Sequence, residues 1–106
     1  MAVATMETIE GLFHGGVHCH YDVPRDVLYL RLNDKRDIES YSEDSDDGLT
    51  YVRDWNTNEI VGLTVISFWE RFGKGELRRA RLEEVEAAIE KMARRLTLEE
   101  RAAVAV

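Results

Sequence analysis

The chain has 106 residues and a formal net charge of −7, with 44% hydrophobic and 33% charged residues. That length suits one small domain that gains from association, and the composition excludes a disordered tail. The acidic balance opposes loose binding to nucleic acid or anionic lipid. The single Cys19 excludes a disulfide framework or multi-cysteine zinc site, and no apolar run is long enough to cross a bilayer.

Residues 1–13 lack the basic end and apolar stretch of a signal peptide, so they are expected to be a loose arm of a cytoplasmic protein. The glycines at 15 and 16 punctuate before a first strand, Val17 to Tyr21. "DVPRD" then reads as a turn, with Pro24 at its leading corner and Asp22 and Asp26 placed to accept backbone N–H groups. "VLYLRL", 27–32, alternates: Leu28, Leu30 and Leu32 share one face, and Val27, Tyr29 and Arg31 share the other. Strand, turn and strand make a β-hairpin.

"IESYSED", 38–44, fits a polar edge strand. "GLTYVRD" and "EIVGLTVIS" flank "WNTN", in which Asn58 suits the left-handed conformation of a hairpin turn. The last strand carries apolar residues on both faces, the pattern of a central, doubly covered position. Beyond a hinge at "FGKGE", 72–76, Leu82, Val85, Ile89, Met92 and Leu96 step by three and four along a helix. Glu90 and Arg94 have the spacing of a favourable pair. "TLEE", 97–100, matches a capping box with Thr97 as N-cap, which predicts a break near Leu96 and a short final helix.

The expectation is an α+β domain: an antiparallel sheet of two β-hairpins, four to five strands in all, followed by a C-terminal amphipathic helix and a short terminal helix. Its parts are an arm at 1–13, a β domain at 14–72 and a helical extension at 73–106.

"YDVPRDVLYLRL" resembles the hallmark of the family called domain of unknown function 2283, through Tyr21, Asp22, Asp26, Leu28, Tyr29 and Leu32. "DDGLTYVRDWNTNEIVGLTVIS" resembles its second block, with Asn58 where the family places Gly, and Arg53 and Trp55 where it places an acidic strand end. The resemblance spans residues 17–67. It implies a small antiparallel sheet in short bacterial proteins, no agreed catalytic residues, and an antitoxin-like or partner-binding role.

All three histidines and the cysteine fall in "HGGVHCHYD", 14–22. On a strand Val17, Cys19 and Tyr21 share one face, and His18, His20 and Asp22 share the other. Cys19 is then a small buried hydrophobe rather than a reactive thiol. His18 and Asp22 lie about 13 Å apart along the strand, so these three cannot close on one ion. His18 and His20 are the only metal candidates and read as a solvated pair. The acidic "EDSDDG", 43–48, fails the EF-hand template and reads as a solvated loop able to steer a basic partner. The basic run at 70–81 lacks a phosphate-loop pattern, and no serine sits in a nucleophile-elbow context.

No catalytic residue and no cofactor is therefore expected. The leading expectation is a non-enzymatic interaction module, a homodimer or the partner of a small protein, with Trp55, Phe68, Trp69, Phe72, Leu82, Val85, Ile89 and Met92 as interface residues. The alternative is a small ligand- or metal-binding protein using His18, His20 and Tyr29.

Overall fold

A computed structural model describes residues 3 and 6–105, with the side chains of those up to residue 98. Its strands are β1 (Thr8–Phe13), β2 (Val17–Asp22), β3 (Val27–Leu32), β4 (Ser40–Asp44), β5 (Thr50–Asp54) and β6 (Ile60–Ile66). A short helix, α1 (Phe68–Phe72), and a long one, α2 (Leu82–Ala105), follow. The class is α+β. The strands form one fully antiparallel sheet in the order β1-β2-β3-β6-β5-β4. It consists of two three-stranded meanders joined where β3 pairs with β6.

The sheet has six strands rather than four to five, and the extra one is β1, inside the expected arm. Only Ile9 of β1 is fully buried, and Gly11 interrupts its pattern, so the segment carries little strand signal of its own. Its partner supplies the order: Ile9 stands opposite Tyr21 and Phe13 opposite Val17. The "HGG" between them is a hairpin turn, with His14 and Gly15 both at positive φ (46° and 72°).

One face of the sheet carries the core. Val17, Cys19 and Tyr21 are buried on β2, and Leu28, Leu30 and Leu32 on β3. Across the register Tyr21 meets Leu28 and Leu28 meets Val65, while Cys19 meets Leu30 and Leu30 meets Leu63. Val85, Ile89, Met92, Ala93 and Leu96 of α2 close over this layer. Each buried Val, Ile, Leu or Met side chain among them contributes about 1.5–3 kcal/mol.

β6 lies in the middle of the sheet and is buried on both faces over residues 60–63, but its far end is covered on one face only. Leu63 and Val65 point into the core, whereas Ile66 on the other side is 59% exposed. Its continuous apolar run has a local cause in a bulge: Val52 stands opposite Gly62 and Arg53 opposite Ile60, which leaves Val61 as the additional residue.

Three further expectations are corrected. α2 runs unbroken through Leu96, because the Thr97 hydroxyl donates to the Arg94 carbonyl (2.8 Å), as a helix-interior threonine does. There is thus no short terminal helix, and Glu100 lies outside the described side chains. Glu90 takes His14, not Arg94, as its partner: its carboxylate accepts the His14 backbone N–H at 3.1 Å and lies 3.3 Å from His14 Nδ1. The start of the expected hinge belongs to a helix, since Phe72 ends α1.

The turns follow their chemistry. Asn58 sits at φ 65°, as its position in "WNTN" predicts. Asp54 is buried and accepts from the N–H groups of Asn56 (2.8 Å) and Thr57 (3.3 Å), which closes the β5–β6 turn. No helix among the described residues is long and apolar enough to cross a membrane.

Candidate interaction face

With α2 on one side, the other side of the sheet has no covering element among the described residues. Alternation and register set its composition. One row across it reads Glu10, His20, Tyr29, Thr64, Thr50, Asp44; the next reads Leu12, His18, Arg31, Gly62, Val52, Ser42. A third row carries Thr8, Asp22, Val27 and Ile66.

Gly62 is the low point of this face. A Cβ there would stand 2.8 Å from the Leu30 carbonyl oxygen, 3.0 Å from Val52 Cβ and 3.1 Å from Arg31 Cδ. The Arg31 side chain crosses the space left open, and its guanidinium donates to Ser40 Oγ (2.9 Å) and to the carbonyls of Lys35 (3.0 Å) and Arg36 (3.4 Å). That clamp fixes the connection that carries the chain from β3 to the far edge at β4. It also leaves the half of the face formed by β1, β2, β3 and the end of β6 free of any strap.

On this half Leu12 is 60%, Tyr29 47% and Ile66 59% exposed. Between them stands a polar cluster. Glu10 Oε1 lies 3.5 Å from His18 Nε2 and 3.4 Å from His20 Nδ1, and the His20 and Tyr29 rings are 6.1 Å apart. Burial, together with the Arg36 guanidinium, holds His18 below the ordinary imidazole pKa of 6.5, against the pull of Glu10. His18 and His20 do share a face with Asp22, and the carboxylate that meets them comes from β1 instead. Glu10 was hidden in the expected arm. Its signal is the alternation Ile9, Gly11, Phe13 ahead of a "HGG" turn, which places Glu10 opposite His20. Among the described residues no group of three His, Cys, Asp or Glu side chains is placed to hold a metal ion.

The expected interface residues separate into two sets. Phe68, Trp69, Val85, Ile89 and Met92 are buried in the chain's own core, and Leu82 is partly buried against it. Trp55 is 63% exposed with its ring edge-on to Tyr41, and Phe72 is exposed beneath the Arg71 guanidinium. The helix seam thus covers its own sheet; of the exposed apolar residues on the opposite face, Leu12 and Ile66 were not among the candidates, and Tyr29 was one only for the ligand-binding alternative.

The charged stretches are largely engaged within the chain. Asp47 accepts from Leu49 N (3.1 Å), from Arg95 Nη2 (2.5 Å) and from the Ser45 hydroxyl; these bonds, the Ser45 one foremost, hold its carboxyl below the usual range. Glu43 binds Arg53, and Asp44 accepts from Thr50 Oγ1. In the basic run Arg71 donates to the Gly48 and Asp47 carbonyls, while Arg78 and Arg79 pair with Glu76. Cys19 is buried, its thiol donating to the Ile9 carbonyl at 3.9 Å, and burial raises its pKa from 9.0 to about 12.

No family model, no curated protein and no solved structure matches this chain.

Proposed function

We propose that this protein is a non-enzymatic interaction module that self-associates through the uncovered face of its sheet. The observation that carries the reading is the one-sided coverage of a six-stranded sheet, with Leu12, Tyr29 and Ile66 exposed on the open side. The unstrapped half, three strands and the end of a fourth about 4.8 Å apart and about 20 Å long, makes a face of roughly 350 Å² in projection. That is below the about 800 Å² each partner buries in a standard interface, the size of a weak, concentration-dependent contact.

A second copy is the occupant that this face fits. The rows mix apolar, imidazole and hydroxyl side chains, and their charges are engaged within the chain, Glu10 beside His18 and His20, Asp22 with Arg25, and Arg31 in its clamp, which limits repulsion between two like faces. Sheet-on-sheet packing would also give the small domain the added core that its length makes useful. A small toxin-like protein, with this chain in the antitoxin-like role that the motif resemblance implies, would take the same face in place of the second copy. The cytoplasm, where Cys19 stays reduced, suits both.

Light scattering on the purified chain over a dilution series tests this. The reading requires a mass of twice 12.2 kDa at high concentration that falls on dilution. A mass of 12.2 kDa at every concentration contradicts self-association.

A further inference from the structure

On the helical side, well away from the open face, the structure holds a half-open cavity of about 350 Å³ between α1 and α2. We infer that this cavity binds a small amphiphilic carboxylate, one anionic head on a short aliphatic or single-ring body. The inference is independent of the self-association reading.

The cavity has a fixed apolar wall. Trp69 is almost fully buried, and its indole N–H donates to the Gly75 carbonyl at 2.9 Å. The chain after α1 lies so close on the indole that a Cβ at Gly73 would stand 2.1 Å from Trp69 Cδ2, so only glycine fits there. Asp26 Oδ1 accepts the Trp69 backbone N–H at 2.7 Å, and Arg71 ties α1 to the Gly48 and Asp47 carbonyls. Phe72, Met92 and Ala88 complete the apolar lining. A wall held from three directions is preorganised, which is what a small-molecule site needs to bind without an ordering cost.

Its mouth is cationic. Lys74 and Lys91 line it, both are exposed, and neither forms an ion pair among the described residues. Glu84 also lines the cavity, and one of its carboxylate oxygens accepts the Arg81 backbone N–H at 3.1 Å. Two lysines against the one glutamate give the lining a net positive charge in a chain of net charge −7, and the two ammonium groups over an apolar floor select an anionic head. The volume lies at the small end of the range for small-molecule sites, which excludes a long acyl chain or a dinucleotide.

Trp55 and Trp69 are the only tryptophans, so Trp55→Phe leaves Trp69 as a reporter inside the cavity. The experiment titrates this variant with sodium octanoate, octylammonium chloride and octanol and follows tryptophan emission. Octanoate is expected to give a saturable change, with octylammonium at least about tenfold weaker. Lys74→Glu combined with Lys91→Glu, exposed changes that leave the fold intact by circular dichroism, should remove the preference for octanoate, and Ala88→Leu should fill the space and abolish binding. The inference is overturned by no saturable change with octanoate, or by an equal response to all three compounds. An equal response would mark a purely apolar contact for another protein. Unchanged octanoate affinity in the double lysine variant would overturn it as well.

Discussion

The Tyr21 hydroxyl donates a 2.6 Å hydrogen bond to Asp26 Oδ1, and that same carboxylate caps α1 by accepting the N–H groups of Trp69 and Glu70. Asp26 itself sits in the left-handed region at φ 56°, at the end of the β2–β3 turn. One side chain therefore closes a hairpin, satisfies a buried tyrosine and starts a helix more than forty residues later. Burial and this bond push the Tyr21 pKa well above the usual tyrosine value. Tyr21→Phe should cost about 1 kcal/mol. Asp26→Gly, which keeps the backbone free to adopt φ 56°, should cost about 2–3 kcal/mol, because it removes a cap and strands the hydroxyl. Urea unfolding of both single variants and the double variant should show coupling: Tyr21→Phe costs much less once Asp26 is gone.

Gly62→Ala is a second structural test. The added methyl meets the Leu30 carbonyl at 2.8 Å and Val52 Cβ at 3.0 Å, both on neighbouring strands that cannot retreat. A loss of about 1–3 kcal/mol in chemical denaturation is expected. The same change at Gly16, where a Cβ meets nothing within 4 Å, should be close to neutral.

Cys19 should be inert in the folded protein. Its burial and raised pKa predict negligible reaction with a thiol reagent near neutral pH, and rapid reaction once urea unfolds the chain. Fast labelling of the native protein would contradict the placement of β2.

The depressed pKa of His18 gives a pH dependence with a definite sign. Below the unfolded value of 6.5 the unfolded chain binds a proton that the folded chain resists, so stability is retained above that pH and lost as pH falls below it. His18→Asn should flatten the fall in urea midpoint between about pH 7 and pH 5. An unchanged slope would mean that His18 titrates normally in the folded state.

Strand alternation made much of this legible in advance. Val17, Cys19 and Tyr21 face inward with His18, His20 and Asp22 on the other side, as a period of two requires, and Asn58 takes its left-handed turn. The helix seam at Val85, Ile89 and Met92 is equally plain in spacing. β1 was not legible, because an edge strand with a single fully buried residue owes its form to pairing, not to its own pattern. Glu10 was lost with it. The capping box at Thr97 failed because a threonine hydroxyl can bond to the preceding turn of a continuing helix equally well. Coverage of the sheet was the least legible feature. Which face a helix chooses depends on three-dimensional packing, so Ile66 reads as core along the chain and stands in solvent in the fold.

Sedimentation equilibrium of the native chain beside the Tyr29→Asp/Ile66→Asp variant tests the central claim most directly. Both positions are exposed on the open face and away from the core, so the variant should retain its fold by circular dichroism. The account requires a dimer of twice 12.2 kDa for the native chain and a monomer for the variant under the same conditions. A native chain that stays monomeric, or a variant that dimerises as strongly as the native chain, contradicts it.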